Sequence, residues 1–420
     1  MKVLIKQAAV ICPSSPFDGT KQDILIENGS IVGIKEKIDT NADTIITKEN
    51  LHVSLGWTDF FANFADPGYE FKETLESGAE AAASGGFTGV AIIPNTHPVI
   101  DNKAQVEYIK HKSKGLAVNI FQIGALTKSA AGKDLSEMYD MRNSGAIAFS
   151  DGTYSVQSSG LLLKSLQYVK AFDGLIIQMP EDKAISNNGL MNEGIISTQL
   201  GLAGKPAIAE ELMVARDIEL LRYTNSKLHI TGISTERSAL LIEQAKKEGL
   251  NISCSVTPYH LYFNEEDLQS YDSNLKVNPP IRKKSDVLAL RKAVTKGVID
   301  FIASHHSPHE WDSKMTEFEY AKNGMTGLES VFGVIRRCGI SAQDFIKMQT
   351  ININKILSLP VPELKEGAMA NITVFDPDHE YTFSENNIHS KSKNTPFPGK
   401  LLKGKVWGII NGDQLFLNQI

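Results

Sequence analysis

The sequence has few cysteines and no long apolar run, and both shortages restrict the class of protein. Its three cysteines, Cys12, Cys254 and Cys338, lie far apart in 420 residues, so they predict reduced thiols and neither a disulfide framework nor a zinc knuckle. No stretch approaches the ~18 apolar residues of a transmembrane helix, and no cationic leader precedes a signal-like core. These features favour a cytoplasmic protein with no membrane partner.

A charge excess of one sign is also missing. The 43 basic and 49 acidic residues leave a net charge of −6. Because no long basic run is present, we expect no nucleic-acid partner. The hydrophobic fraction of 42% and the charged fraction of 22% are typical of a globular protein with a large core. The length allows two or three domains, one of which could be an α/β barrel of ~250 residues.

Short strand patterns occupy both ends of the chain. Asn28-Gly29 and Asn411-Gly412 are typical of tight turns between antiparallel strands. Because the two ends resemble each other and differ from the middle, we predict that residues 1–52 and 366–420 form one composite β-sandwich domain. Residues 53–365 are then the second domain.

The middle of the chain alternates strand-like runs with helical periodicity, which is typical of parallel βα units. Eight such strands close a (β/α)8 TIM barrel, and an open doubly wound sheet is the alternative. The predicted strands are Val53–Asp59, Thr88–Ile93, Val118–Ile123, Ala146–Phe149, Leu175–Gln178, Leu228–Ile233, Ile252–Val256 and Val298–Ala303.

Short motifs lie in the βα units, where the strand ends of a barrel carry the chemistry. In chain order they are Asp66-Pro67-Gly68, Gly85-Gly86-Phe87-Thr88, Pro94-Asn95-Thr96, Phe149-Ser150-Asp151-Gly152, Glu181-Asp182, Thr257-Pro258-Tyr259-His260-Leu261, Lys276-Val277-Asn278-Pro279-Pro280, Ser307-Pro308-His309 and Lys393-Asn394-Thr395-Pro396-Phe397. Together they resemble the signature segments of dihydroorotases, in the cyclic amidohydrolase branch of the amidohydrolase superfamily. The resemblance covers nearly the whole chain, and it implies a (β/α)8 barrel, a terminal β-sandwich and an ancestry in pyrimidine synthesis.

The resemblance also implies which chemistry to look for. Active members of the family hold two zinc ions, whose hydroxide attacks the amide of dihydroorotate or runs the reverse ring closure of carbamoyl-aspartate. Bound zinc lowers the pKa of water from ~15.7 to ~7, which is about 12 kcal/mol of ionisation free energy. Histidines and carboxylates must converge to hold the metal.

This chain lacks most of those metal-binding residues. The family has a His-x-His pair at strand one, histidines at strands five and six, and an aspartate at strand eight. At these places the chain has Phe61, Asn63, Met179, Gly232 and His305. Of the six site positions only the strand-four carboxylate, Asp151, remains, and the family's substrate-binding arginine is replaced by Ala65. We therefore expect no catalytic residue, no bound zinc and no other cofactor.

Several polar residues keep alternative interpretations open. Asp151 and His305 could form a weak single-metal site, or Asp151 could pair with a protonated His305. Asn95, Asn278 and His309 match family positions that hold substrate, so they are candidate ligand-binding residues. The structural alternative is that these side chains form hydrogen bonds within the protein and bind no ligand.

Three functions compete. The first is a catalytically inactive structural or regulatory subunit of pyrimidine biosynthesis, a homodimer that could bind aspartate transcarbamoylase, as zinc-less family members do. The second is an active dihydroorotase or related cyclic-amide hydrolase with a non-standard site. The third is a module that senses an acidic metabolite. The residue losses favour the first.

Overall fold

The computed structural model describes residues 1–418, and no helix within them is long and apolar enough to cross a membrane. Its strands are β1 (Lys2–Val10), β2 (Lys21–Glu27), β3 (Ser30–Lys35), β4 (Thr44–Ile46), β5 (His52–Leu55), β6 (Trp57–Ala62), β7 (Phe87–Ile92), β8 (Asn119–Gly124), β9 (Ala148–Phe149), β10 (Leu175–Gln178), β11 (Met191–Asn192), β12 (Gly204–Lys205), β13 (Lys227–Ile230), β14 (Ile252–Val256), β15 (Phe301–Ile302), β16 (Asn371–Thr382), β17 (Leu401–Asn411) and β18 (Gln414–Leu417). Its α-helices are α1 (Leu75–Ser84), α2 (Lys103–Lys112), α3 (Met138–Ser144), α4 (Ser159–Lys170), α5 (Ile195–Leu200), α6 (Ile208–Thr224), α7 (Glu236–Lys247), α8 (Pro258–Tyr262), α9 (Lys284–Thr295), α10 (Val331–Arg337), α11 (Ala342–Lys347) and α12 (Ile353–Ile356).

Eight parallel strands form the barrel predicted from the sequence, in the order β6-β7-β8-β9-β10-β13-β14-β15. The strands β6, β7, β10 and β14 are buried along their whole length. Their apolar sequences suit this position, because a parallel barrel sheet is covered on both faces. The (β/α)8 prediction is confirmed.

The predicted strand Val53–Asp59 is in fact two strands, β5 and β6. The first pairs with β1 and β16 in the terminal sheet, and the second begins the barrel. The chain passes between the two sheets at Gly56, where an added Cβ would lie 2.2 Å from the Thr88 and Asn371 side chains. Only glycine fits this crossing.

Side chains join the two ends of the barrel ladder, β6 and β15. The Asp59 carboxylate accepts hydrogen bonds from the Ser304 amide at 3.0 Å and the Ser304 hydroxyl at 2.5 Å. The Gln349 amide donates to the carbonyls of Thr58 and Ile302 at 3.2 and 2.9 Å. Asp59 therefore closes the barrel seam.

Strands from both ends of the chain meet in a second sheet, in the order β18-β17-β16-β5-β1-β2-β3, with β4 on β1. Asn28 and Gly29 connect β2 to β3 with φ values of 48° and 78°, as a tight hairpin of this type requires. The predicted meeting of the two ends is thus present. The domain limits at residues 52 and 366 stay a prediction.

Candidate functional site

A cavity of about 570 Å³ opens where the barrel strands end; we call it the mouth cavity. Of the residues singled out from the sequence, its wall contains Phe61, Asn63, Ala65, Asn95, Met179, Asn278, His305 and His309. Asp151 and Gly232 are not among the described residues that line it. The predicted site residues therefore converge on one place, with these two exceptions.

Three of the replaced positions fit one another closely. The ring of His305 lies 4.7 Å from the ring of Phe61, centroid to centroid, at an angle of 34°. A Cβ built on Gly232 would lie 2.7 Å from Cε1 of His305, which is closer than real side chains approach. The His305 ring therefore occupies the space that a strand-six side chain would need.

His305 belongs to a buried chain of hydrogen bonds. Its Nε2 shares a hydrogen bond of 2.8 Å with the Thr231 hydroxyl, which shares one of 2.9 Å with Ser255. Ser255 in turn contacts Nε2 of His229 at 3.0 Å, and His229 Nδ1 contacts Ser253 at 2.8 Å. Both histidines are held by hydroxyl groups and serve as structural parts of the barrel interior.

Burial keeps these histidines neutral. It lowers the pKa of His305 from 6.5 to about 3 and the pKa of His229 well below its usual range. Burial without a carboxylate partner disfavours the charged imidazole, and of the two roles considered for Asp151 this favours hydrogen bonding over pairing with a protonated His305.

The lowered pKa of His305 predicts a pH dependence of stability. The folded protein keeps His305 neutral, whereas the unfolded chain takes up a proton below about pH 6.5. Stability is therefore lost as the pH falls from about 6.5 towards about 3. Between pH 7 and pH 5 the His305→Asn variant is expected to lose about 2 kcal/mol less unfolding free energy than the parent.

Urea unfolding at the two pH values measures this difference. Asn is chosen because His305 has a φ of 46°, a region that Asn tolerates. The matched control is His111→Asn, since His111 is exposed and its replacement should leave the pH dependence as in the parent. An unchanged pH dependence in His305→Asn would contradict the buried neutral state.

The Asp151 carboxylate is hydrogen-bonded to Thr127 in a neighbouring loop. Its Oδ1 accepts a hydrogen bond from the Thr127 amide at 2.8 Å, and its Oδ2 accepts one from the Thr127 hydroxyl at 2.6 Å. Burial raises the pKa of this carboxyl group. Asp151 and His305 therefore bind two different hydroxyl groups, those of Thr127 and Thr231.

The residues present do not fit a pair of zinc ions. Phe61 has no lone pair and Gly232 has no side chain, and the Asn63 carbonyl oxygen accepts the Ala65 amide at 2.8 Å. Within residues 1–418 no group of three or more His, Cys, Asp or Glu side chains is placed to hold a metal ion. A catalytic zinc site needs about three protein ligands for each metal, so the donor set falls short.

The three candidate ligand-binding residues line the mouth cavity, and apart from the buried Nδ1 of His309 their side-chain polar atoms have partners within the protein. The Asn95 amide donates to the Asp151 carbonyl at 3.1 Å and accepts from the Thr153 amide at 3.2 Å. His309 Nε2 contacts the Asn323 carbonyl at 2.9 Å, so its proton lies on Nε2 and its Nδ1 offers no donor. The Asn278 amide lies between Lys205 and Glu181.

Sequence reasoning missed the lysines on this wall. Lys205 Nζ donates to Glu181 Oε1 at 2.5 Å and to Asn278 Oδ1 at 2.7 Å, and the Asn278 amide donates to Glu181 Oε2 at 2.9 Å. Burial acts to raise the pKa of Glu181, but the charge of Lys205 and these hydrogen bonds outweigh it and lower the pKa. The usable signal was a lone lysine between Gly204 and Pro206 in an apolar segment.

Comparisons with known proteins agree with this fold. The family model described as dihydro-orotase-like matches residues 52–238, and the model of the amidohydrolase family matches residues 184–406. The L-hydantoinase (dihydropyrimidinase) of Arthrobacter aurescens superimposes with a TM-score of 0.86 over 99% of this chain and 96% of that chain, at 21% identity. This likeness supports the fold alone.

Curated relatives are more similar in sequence. The dihydroorotase of Pelotomaculum thermopropionicum is 40% identical over 99% of this chain and 99% of its own length. The dihydroorotase of Syntrophus aciditrophicus is 39% identical over 97% of each chain. With full-length identity at this level, the chain belongs to the dihydroorotase family of the amidohydrolase superfamily.

Proposed function

We propose that this chain is a non-catalytic member of the dihydroorotase family that serves pyrimidine biosynthesis as a structural or regulatory subunit. The place in pyrimidine biosynthesis comes from its relatives, which are named dihydroorotase over their full length. The proposed loss of catalysis is inferred from the contacts that the residues at the family's site positions make. His305 packs against both Phe61 and Gly232, and the remaining carboxylate, Asp151, is hydrogen-bonded to Thr127.

The energetics of amide hydrolysis support this proposal. Without a metal the protein must replace about 12 kcal/mol of water activation. A general base contributes about 10²–10⁴-fold at best and works best with a pKa near the working pH. With its pKa lowered to about 3, His305 is a weak base, so it recovers little of the lost activation.

The alternative is an active dihydroorotase, or a related cyclic-amide hydrolase, with a non-standard site. The names of the relatives favour it as much as they favour an inactive subunit. The side chains available to bind a metal separate the inactive subunit from the active enzyme. An active enzyme requires a source of activated water that the described residues do not supply.

Metal content and turnover test the proposal together. We expect purified protein to carry only a trace of zinc, and to interconvert dihydroorotate and carbamoyl-aspartate at the background rate in excess Zn²⁺. The dihydroorotase of Pelotomaculum thermopropionicum, prepared in parallel, is the positive control. Both proteins should come from a host that lacks its own dihydroorotase.

Two results would defeat the proposal. One is two tightly held zinc ions per chain. The other is a rate within about 10³-fold of the control enzyme, because general-base catalysis without metal cannot bridge the remaining gap.

The subunit role concerns assembly. A homodimer and a complex with aspartate transcarbamoylase are proposed from the family resemblance. If they form, a mixture of the two proteins elutes from a sizing column earlier than either protein alone. Unshifted elution at micromolar concentration counts against this partner and leaves the catalytic question to the assay above.

A further inference from the structure

The connection between β16 and β17 is much longer than a hairpin turn needs. The two strands pair as far as Thr382 and Leu401, and residues 383–400 between them cross onto the barrel; we call them the strap. All of these residues are described, and the one regular element among them is a short turn of 3-10 helix, Glu385–Asn387. Because buried backbone groups need partners, the strap must bond to other segments.

Two loops continue the barrel seam above its strands. Residues 63–74 follow β6 and residues 303–327 follow β15; we call them the β6 loop and the β15 loop. They meet directly, since the Asn63 amide donates to the His306 carbonyl at 2.8 Å. The strap binds both of them, so three segments far apart in the chain come together at the seam.

The three segments meet at Glu73 of the β6 loop. Its buried carboxylate accepts hydrogen bonds from the Lys391 amide at 3.0 Å and from the Ser390 hydroxyl, both in the strap. His306 Nδ1 accepts the Gly327 amide at 3.3 Å, so His306 donates from Nε2, which lies 3.3 Å from the Glu73 carboxylate. Burial acts to raise the pKa of Glu73, but hydrogen bonds from His306 and Ser390 outweigh it and lower the pKa. Withdrawing either donor segment would leave a buried charge poorly satisfied.

Asn394 binds the strap to the β15 loop at a second place. Its Oδ1 accepts the His309 amide at 2.9 Å, and its carbonyl accepts the Thr326 amide at 2.9 Å. Its Nδ2 donates to the carbonyls of Ser307 at 3.0 Å and Gly324 at 3.3 Å. One strap residue therefore binds both ends of the β15 loop, and its side chain makes no hydrogen bond to the β6 loop within the described residues.

Apolar side chains anchor the two ends of the strap but not its middle. Phe383 and Phe397 are 2% and 1% exposed, and the Phe397 ring lies 5.4 Å from the Phe263 ring, centroid to centroid. Residues 389–395 between these anchors carry only polar side chains, so polar contacts hold this part. Such a segment can open locally while its ends stay in place, because its opening exposes little apolar surface.

We propose that the strap is a latch, whose polar middle opens and closes together with the β6 loop and the β15 loop as one cooperative unit. The barrel strands and the two anchored ends of the strap stay folded during this opening. Both loops contribute to the wall of the mouth cavity, so the latch sets how widely the mouth is open. The latch goes beyond the proposed function and holds whether or not the protein turns over dihydroorotate.

Hydrogen exchange of the full-length protein, read at single residues by fragmentation mass spectrometry, tests the latch. The Asn394→Ala variant removes three hydrogen bonds to the β15 loop. We expect exchange in the β6 loop, which the Asn394 side chain does not contact, to accelerate by about tenfold to hundredfold. Glu73→Gln should accelerate exchange of the His309 and Thr326 amides, which Asn394 binds, by a similar factor. A single shared opening predicts similar factors in the strap and in both loops.

Each variant has a matched control. Glu80→Gln makes the same substitution at an exposed position of α1, and Asn386→Ala removes an exposed asparagine of the strap. Both should leave exchange in the strap and the two loops within about twofold of the parent. If Glu73→Gln does not fold, Ser390→Ala takes its place, since it removes one donor to the Glu73 carboxylate and leaves the charge paired with the others.

Three outcomes would overturn the latch. The first is faster exchange only in the segment that carries the substitution and at its direct partners. The second is an equal acceleration in the barrel strands β8 and β10, which would mean that the whole barrel opens. The third is exchange in both variants that stays within about twofold of the parent, which would show that the polar contacts of the strap hold nothing in place.

Discussion

The Gly232→Ala variant is expected to lose about 2–5 kcal/mol of unfolding free energy. Two costs add. Gly232 has a φ of 68°, where an L-residue is strained by roughly 1–2 kcal/mol. The new methyl group would also lie 2.7 Å from His305, and that ring cannot withdraw because Phe61 packs on it and Thr231 binds it. Overpacking of this kind costs about 1–3 kcal/mol.

A second glycine, Gly297, separates the cost of backbone strain from the cost of the clash with His305. Gly297 has a φ of 72°, and a Cβ there would meet nothing within 4 Å. The Gly297→Ala variant therefore carries the backbone strain alone, roughly 1–2 kcal/mol, in the same urea titration. In a His305→Ala background, Gly232→Ala should fall to the cost of Gly297→Ala, since the ring is gone. Equal losses for the two single variants would contradict the contact with His305.

This coupling bears on the proposed loss of the metal site. A histidine restored at position 232 would collide with His305, so that single reversion cannot rebuild a ligand. Position 305 would have to change with it, and Phe61 contacts the same ring. His305 contacts both other positions, so under the proposed loss of zinc binding a reversion at position 232 would require a change at position 305 as well.

The Arg282→Met variant is expected to lose about 3–5 kcal/mol of unfolding free energy. Arg282 and Glu210 are each 2% exposed, with their charged atoms 3.5 Å apart. Glu210 also accepts the Ser234 amide at 2.9 Å, and Arg282 Nε donates to the Ser234 hydroxyl at 2.9 Å. Methionine keeps much of the volume but leaves Glu210 as a buried charge without its cation.

Chemical denaturation measures this loss, with Arg237→Met as the matched control. Arg237 lies on the exposed face of α7, so its replacement should change stability by less than about 0.5 kcal/mol. Similar stability in the two arginine variants would show that the buried pair contributes nothing.

Much of the fold follows from local pattern. The limits of β10 and β14 match the predicted strands residue for residue, because turn-forming residues flank both: Gly174 and Pro180 around β10, and Asn251 and Pro258 around β14. The first predicted barrel strand failed at Gly56. The one local signal is Gly56 itself, because an isolated glycine inside a strand pattern suggests a bulge or a close backbone approach.

The site was predictable only where residue type alone is decisive. Phenylalanine at 61 and glycine at 232 cannot bind zinc in any fold, so the reduced donor set can be read from the chain. The contacts of His305, Asp151 and Lys205 could not be read in this way. His305 binds Thr231 across 74 positions of the chain, and Lys205 binds Asn278 across 73.

Residue chemistry and periodicity, both properties of the chain, suffice to predict the eight βα units and to recognise the family motifs, and the resemblance then shows which residue types stand where the family binds zinc. Side-chain partners depend on packing between segments far apart in sequence, which no local pattern encodes. Folding therefore directs Asp151 to Thr127, places His305 over Gly232, and brings Lys205 to Glu181 and Asn278.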